Sequence, residues 1–564
     1  MATSMTERPI VDLKNESPDA RRSRNASHHA DEFIMLGYDK GVYYYLPKGS
    51  RQVVALKARA HVEGELIDIA PKQFWDQHYG GDKGVDWKAA QNALIRRQQA
   101  VGLYDPSRVK GRGAWWESGR AIVHIGDRLI IEGKEYPLEH ATENIYEVGL
   151  PFKINYRNPL PASKAKKLLD LCELISWDKT INAKYLAGWI ALAPICGALD
   201  WRPHVWITAA AASGKSTIVR DIVKRILTTV MVETQSGATE AAIRQDLNSD
   251  ARPVVYDEAE SKDQASHERM QGIFKLVRAA STRGAAPITK GSPGGVPSYW
   301  YINSMFLFAS ISYCVTSPED ARRITPLGIT KDGNTDRYAK LVAAISDTLT
   351  DEWVSGLMAR SVKMAPVIRA NSRVFGRAVS AHLSDQGAGD QIGPLLAGAW
   401  SLYSDNEISA AEAAKWIKDQ DAKGAWTEHR VQIEDTDETQ CLARIMQHVL
   451  RVQAKFGSVD RSIAELVNIA ADRTQDSVIS TRDAEEVLGR HGLRGDPDGI
   501  VVSVSHSGVA AILKDTAWAR NWARTLRRLP GANATEWGVR FGSVKNRGIE
   551  IPHQEEKAQA DLDL

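Results

Sequence analysis

The stretch TAAAASGKST at residues 208–217 constrains this chain more than any other part of its sequence. It follows an apolar run, Val205-Trp206-Ile207, and opens an amphipathic segment at 216–227. A strand, a tight loop of small residues and a helix, in that order, aim a row of backbone N–H groups from a helix N-terminus, where the macrodipole adds positive potential for a phosphate. Lys215 is then placed to reach β- and γ-phosphate oxygens and the Ser216 hydroxyl to hold Mg²⁺. Ala211, Ala212, Ser213, Gly214 and Thr217 complete the expected cradle for ATP. The usual pattern has glycine where Ala209 stands. A left-handed backbone there would cost alanine about 1–2 kcal/mol, so the loop is predicted to enter at an ordinary dihedral.

A second motif, RPVVYDEAE at 252–260, sets the strand-like run 253–256 directly before Asp257-Glu258. Asp257 suits Mg²⁺, directly or through water, and Glu258 suits the orientation and polarisation of an attacking water. The short stretch between Lys215 and Asp257 leaves room for one strand, one helix and their loops, which favours an AAA+-like core over a RecA-type one.

Length and composition bound the rest. At 564 residues the chain exceeds what one core organises, so three or four units of roughly 100–200 residues are expected. Lysine plus arginine number 72 against 70 acidic residues, so any nucleic-acid contact must come from local patches. Cys172, Cys196, Cys314 and Cys441 lie far apart, which excludes a CxxC zinc pair and fits a reducing cytoplasm. The first 29 residues contain no apolar signal core, again favouring the cytoplasm. The longest apolar run, 185–199, contains Pro194 and falls short of the ~18–20 residues of a membrane span; it is read as buried helix, and no membrane partner is expected.

The predicted fold class is an α/β P-loop core with a β-rich N-terminal domain, a helical lid and a C-terminal winged-helix-like α+β domain. The expected boundaries are a disordered arm at 1–30, the β-rich domain at 31–160 with one amphipathic helix near 87–100, and the ATPase at 161–335 with helical entry over 163–199. The lid follows at 336–433, then the winged-helix-like domain at 434–555 and a tail at 556–564.

Four further segments follow in order: GATEAAIRQDL (237–247), STRGAAPITKGSPGG (281–295), FLFASIS (306–312) and EDARRITPLGI (319–329). With the two motifs above, they resemble the ATPase of phage and prophage replicative helicases of the superfamily 3, AAA+ type, related to the helicase part of poxvirus and satellite-phage primase-helicases. The resemblance is most specific over 201–329. It implies an ATP-dependent DNA helicase of phage replication that assembles as a ring hexamer, hydrolyses ATP between subunits and translocates on single-stranded or forked DNA in the bacterial host cytoplasm. A separate primase or other replication proteins are implied partners. Carried onto this sequence, it makes Ser310, with Ser312 as the alternative, the sensor of the γ-phosphate, where the family usually has asparagine. It also places Arg322 and Arg323 in the arginine-finger region, where a neighbouring subunit's guanidinium stabilises the transferring phosphoryl group.

The run APITKGSPGGVPSYWYI (286–302) reads as two strands joined by a turn at 292–295. The resemblance implies a hairpin in the ring channel, with Lys290, Gly291 and Ser292 on DNA phosphates; a plain surface hairpin is the alternative. Tyr299 and Trp300 are read first as packing residues. Residues 513–529 spell an amphipathic helix, with Trp518, Trp522 and Leu526 on one face and Arg520, Arg524, Arg527 and Arg528 on another, serving either DNA or solvent. A weaker basic patch combines Arg96, Arg97, Lys110 and Arg112 near Trp115 and Trp116. Two other readings compete with the helicase. One is an AAA+ initiator or helicase loader that does not unwind. The other is a bifunctional primase-helicase, disfavoured because there is no zinc-type cysteine cluster and too short a region before the core.

Overall fold

A computed structural model describes residues 32–553 apart from 141, 211–212, 261–262, 292–297, 316, 332, 428–435 and 455–456. The arm and tail expected at 1–30 and 556–564 lie outside the described residues, as do Ala211, Ala212 and Ser292. The chain forms two compact units, Met1–Ala425 and Trp426–Leu564.

The first unit is built around a five-stranded sheet of β1 (His204–Ala209), β2 (Val232–Thr234), β3 (Val254–Asp257), β4 (Phe306–Ser310) and β5 (Ile324–Ile329), ordered β2-β3-β4-β1-β5. Every pairing is parallel. Continuously apolar strands such as FLFAS in β4 need cover on both faces, as parallel sheets have. On one face Trp206 stacks on Phe308 at 4.9 Å, with Tyr256 and Phe274 beside them. Because all five strands run the same way, the loops after β1 and β3 leave at one end of the sheet, the end where open α/β sheets hold ligands.

The helices before and after the sheet share a core. Ile181–Leu192, nearly all buried as expected for the apolar run, crosses Gln386–Trp400 at glycines. A Cβ on Gly188 would sit 1.9 Å from the Leu395 carbonyl oxygen, and one on Gly398 2.5 Å from that of Gly188. Helices Thr335–Thr348, Asp351–Leu383 and Ala410–Asp421 complete the bundle, so helices on both sides of the expected boundary at 335–336 pack as one layer. No helix among the described residues is long and apolar enough to cross a membrane.

Ahead of the sheet lie a three-stranded antiparallel sheet (Phe33–Asp39, Val42–Pro47, Val54–Lys57) and a four-stranded one (Gly113–Glu117, Arg120–His124, Arg128–Ile131, Lys134–Pro137). The expected helix is present as Trp87–Val101, capped by the Asp86 carboxylate on Ala89 N–H at 3.0 Å. Two shorter helices, Glu63–Ile67 and Lys72–Tyr79, escaped the sequence reading and bury Leu66, Phe74 and Trp75. The weak basic patch is structural in part. Arg112 donates to Asp250 at 2.5 Å, tying this region to the sheet, and the Lys110 ammonium lies 5.0 Å from the Trp115 ring.

The second unit has helices Asp437–Met446, Ile463–Ala470 and Thr481–Arg490 and a four-stranded antiparallel sheet ordered Leu493–Asp496, Gly499–Ser503, Gly548–Pro552, Asn533–Ala534. The continuous helix expected over 513–529 is not formed. Asp515 turns left-handed at φ 67°, and the Thr516 hydroxyl donates back to the Leu513 carbonyl at 2.6 Å, which leaves only Trp522–Leu526 helical. The expected apolar side does face inward: Trp522 is buried and donates to the Ser503 carbonyl, and Trp518 donates to Asp437.

Candidate nucleotide site

Ala209 closes β1 opposite Ile329 and is not among the residues of positive φ. The loop thus enters at an ordinary dihedral, as alanine requires. Its left-handed turn falls instead on Gly214, at φ 84° and ψ 5°, a conformation glycine adopts without a Cβ penalty. Ser213 Oγ donates to the Ala210 carbonyl at 2.8 Å, drawing the loop in. Helix then begins at Lys215–Thr217 and widens into a π-turn at Ile218–Lys224, a distortion often found at functional sites.

Beside this loop is a cavity of about 630 Å³, within the roughly 300–1,000 Å³ typical of small-ligand sites. Ser213, Gly214, Lys215 and Ser216 line it together with the apolar side chains of Leu174, Ile175, Ile218, Ile329 and Leu341 and the ring of Tyr338. That mixture of polar loop and apolar wall suits a nucleotide, whose phosphates need the first and whose base needs the second. Arg337 braces the apolar wall by donating to the carbonyls of Glu173, Leu174 and Ile175 at 2.8–3.1 Å, which satisfies carbonyls left open at a helix C-terminus. The Tyr338 hydroxyl meets Thr217 Oγ1 at 3.1 Å. Sequence reading missed Leu174, Arg337 and Tyr338 because they come from helices distant in the chain.

Asp257 ends β3 with both oxygens engaged: Oδ1 accepts from Glu258 N–H at 3.0 Å and Oδ2 from Lys224 Nζ at 3.0 Å. Lys224 also pairs with Glu233 at 2.8 Å. Burial pulls the Lys224 pKa down, but the hydrogen bonds to Glu233 and Asp257 outweigh it and leave the pKa raised. Lys224 is a further residue the sequence did not single out. Each Asp257 oxygen keeps a lone pair for a cation or its water. Among the described residues no cluster of three acidic, histidine or cysteine side chains could hold a metal. Mg²⁺ fits such a sparse site, since it takes one or two protein ligands plus water and phosphate oxygens; here those ligands would be Ser216 and Asp257. Glu258 has φ 56° and accepts from Ser236 Oγ at 3.3 Å. A non-glycine residue in that region stores about 1–3 kcal/mol, a cost that gathers at functional sites.

The sensor assignment needs correction. Ser310 is fully buried; its hydroxyl accepts from Trp206 Nε1 at 2.7 Å and donates its only proton to the Ser312 carbonyl at 2.6 Å. It does not line the cavity, whereas Ile311 does. Ser312 is exposed and is the remaining hydroxyl of that strand end.

Arg322 and Arg323 immediately precede β5, whose first residue, Ile324, pairs with His204 at the start of β1. The phosphate loop follows the last residue of β1, so six strand residues, about 20 Å, separate them. Neither arginine can serve the phosphate loop of its own chain. Arg323 is partly tied, donating to the Glu319 carbonyl at 2.6 Å, while Arg322 is exposed. The turn that carries them is anchored by fully buried Asp320, which pairs with Arg278 at 2.6 Å.

The expected hairpin is present: Ile288–Lys290 pairs antiparallel with Ser298–Trp300, with Lys290 and Gly291 exposed at its outer end. Trp300 packs against the core with the Arg244 guanidinium 3.9 Å from its ring centroid, whereas Tyr299 is half-exposed.

No family model matches the chain, and no curated relative matches it. Among solved structures it resembles "SCCmec type IV Cch - active helicase" at 12% identity over 92% of this chain and 93% of that one, with a TM-score of 0.45. It also resembles the apo A form of the NrS-1 C terminal region, at 11% identity over 77% and 97% with a TM-score of 0.29. Identities and scores this low leave the activity to be read from the site's own residues.

Proposed function

We propose that this chain is an ATP-hydrolysing DNA helicase of the phage replicative type that works as a ring hexamer in the host cytoplasm, alongside a separate primase. The observation that carries this reading is the division of the sheet. The phosphate loop and Asp257-Glu258 occupy one end and the exposed Arg322 the other, so a complete hydrolytic site needs two copies. The order β2-β3-β4-β1-β5, with a strand inserted between those carrying the two motifs, supports an AAA+-like core. Lys215 neutralises β- and γ-phosphate charge, and Ser216 and Asp257 hold Mg²⁺, which offsets the charge developing on the phosphates. Glu258 orients water for attack, Ser312 senses the γ-phosphate, and the Arg322 of a neighbouring copy stabilises the transferring phosphoryl group. Lys290 and Gly291, with Ser292, contact the strand that passes the hairpin. Arg520, Arg524 and Arg527 are exposed for phosphates, while Arg528 is paired with Asp437 at 2.7 Å.

The test is ATP hydrolysis with and without single-stranded DNA, followed by strand displacement on a fork. DNA-stimulated hydrolysis is expected, with Lys215→Ala lowering it by roughly 10³-fold at unchanged thermal midpoint. A folded Lys215→Ala protein with near-normal turnover overturns the site. Hydrolysis without displacement, joined to selective binding of origin duplex, turns the reading to an initiator or loader.

A further inference from the structure

The second unit carries a surface that the broken arginine helix does not explain. Residues 537–548, WGVRFGSVKNRG, hold three cations, Arg540, Lys545 and Arg547, and no acidic residue. They form a hairpin, Val539–Phe541 against Val544–Asn546, in which Arg540 lies directly opposite Lys545. Like charges at a directly opposed position destabilise a strand pair. Arg540, Lys545 and Arg547 are all exposed, and none forms an ion pair among the described residues. At the foot of the hairpin Trp537 is 81% exposed, the most exposed of the large apolar side chains among the described residues of its unit.

The hairpin is held firmly while its charges are left free. Phe541 points inward at 1% exposure. The hairpin turn meets helix Thr481–Arg490 backbone to backbone: a Cβ on Gly489 would lie 2.6 Å from the Gly542 nitrogen. Lys545 lays its methylenes against Gly538, within 3.0–3.1 Å of where a Cβ would stand there, which brings its ammonium beside the Trp537 segment. Thr481–Arg490 itself carries Asp483, Glu485 and Glu486 against Arg482 and Arg490, so that helix is the wrong sign for phosphates.

We propose that the 537–548 hairpin is a binding site for single-stranded DNA, with Arg540, Lys545 and Arg547 on successive phosphates and an unpaired base stacked on Trp537. Unneutralised cations beside a solvent-facing indole are the pairing that sequence-tolerant single-strand sites use. Phosphates would also relieve the repulsion between Arg540 and Lys545. The proposal rests on DNA being the substrate, as read above, and adds a second contact remote in sequence from Lys290.

The test uses the full chain and a fluorescent oligo(dT), with anisotropy read over a salt series. Arg540→Gln with Lys545→Gln should weaken binding by roughly tenfold or more and flatten the slope of log K against log [salt] by about 1.4, at about 0.7 per single-strand phosphate contact. Trp537→Ala should cost about 5- to 100-fold on oligo(dT), while Trp537→Phe, which can still stack, keeps most of the affinity. Thermal midpoints check that the fold survives. Unchanged affinity and slope in both sets overturns the proposal, and so does an equal Trp537→Ala loss on blunt duplex, whose bases cannot stack. If the wild-type chain itself ignores oligo(dT), the helicase reading fails; if it binds and the variants match it, only the hairpin site fails.

Discussion

The two ends of the central sheet are built from the same five strands and differ in almost everything else. At the starts of the strands polar groups are buried and most are matched, with Ser304 Oγ, Asp320 Oδ2 and Arg323 Nε left over among the described residues. Arg202 is fully buried, with its guanidinium on the Cys196 and Ala280 carbonyls and Asn303 at 2.8–3.0 Å. His204 accepts from Phe306 N–H through Nδ1 at 3.0 Å and meets Ser281 Oγ through Nε2 at 3.2 Å. Gln391 bridges the His204 carbonyl and Thr325. At the strand ends the polar groups line an open cavity, and the backbone is left-handed at Gly214 and Glu258. One end is buried and densely hydrogen-bonded; the other is open, with hydrogen-bonding capacity facing a cavity and a left-handed Glu258. A buried, hydrogen-bonded end can hold an exposed guanidinium in place, and an open end lined with polar groups can receive a ligand. Under the proposed function, each end would meet a different partner copy.

The sharpest way to break that assignment is Arg322→Ala. If the strand-start end serves a neighbour's nucleotide, the variant should bind ATP normally yet lose hydrolysis by about 10³- to 10⁵-fold. Mixing it with Lys215→Ala subunits should then restore activity, because some interfaces pair an intact loop with an intact arginine. Mixed assemblies, verified by mass, that stay inactive would rule out action between copies.

Much of the strand-end geometry was legible because it is local. A strand, a small-residue loop and a helix at 208–217, and a strand before Asp257-Glu258, are patterns of adjacent residues. What was not legible depends on partners far away in the chain. Ser310 lies on the expected strand, but no spacing rule says that Trp206, more than a hundred positions earlier, takes its hydroxyl. The crossing at Gly188 and Gly398 joins helices flanking the whole sheet, so it gives neither helix a signal of its own. The helix expected at 513–529 has the right periodicity and the right buried side. It fails at Asp515, whose left-handed backbone no glycine or proline announced.

A second prediction concerns the buried end and pH. Burial holds the His204 pKa at about 3, against 6.5 for the free side chain. The folded state therefore keeps a neutral ring whose Nδ1 is an acceptor, while the unfolded chain takes up a proton below pH 6.5. Stability from this residue is complete above pH 6.5 and declines as pH falls toward 3, by about 2 kcal/mol at pH 5. His61 and His124 are also pulled down by burial, so the measurement is a difference. Thermal midpoints of wild type and His204→Gln are followed from pH 8 to pH 5, and the wild type should show the steeper fall. Parallel curves would mean that His204 does not titrate on unfolding.

The smallest effect tests the strain assigned to the open end. Glu258 sits at φ 56°, where a side chain costs about 1–2 kcal/mol and glycine costs little. Its carboxylate receives one long hydrogen bond, from Ser236 at 3.3 Å, so little native contact is lost on truncation. Opposing the relief is the greater freedom of glycine in the unfolded chain, about 0.5–1 kcal/mol. Glu258→Gly should therefore leave stability unchanged or raise it by up to about 1 kcal/mol, while hydrolysis drops by roughly 10²-fold or more through loss of the group that acts on water. Glu258→Ala keeps the strain and loses the carboxylate, so it should match the hydrolysis defect without the gain in thermal midpoint. If Glu258→Gly instead melts below Glu258→Ala by the full cost of glycine's unfolded freedom, about 0.5–1 kcal/mol, the left-handed backbone at 258 carries no stored energy, and the contrast between the sheet ends reduces to burial and hydrogen bonding.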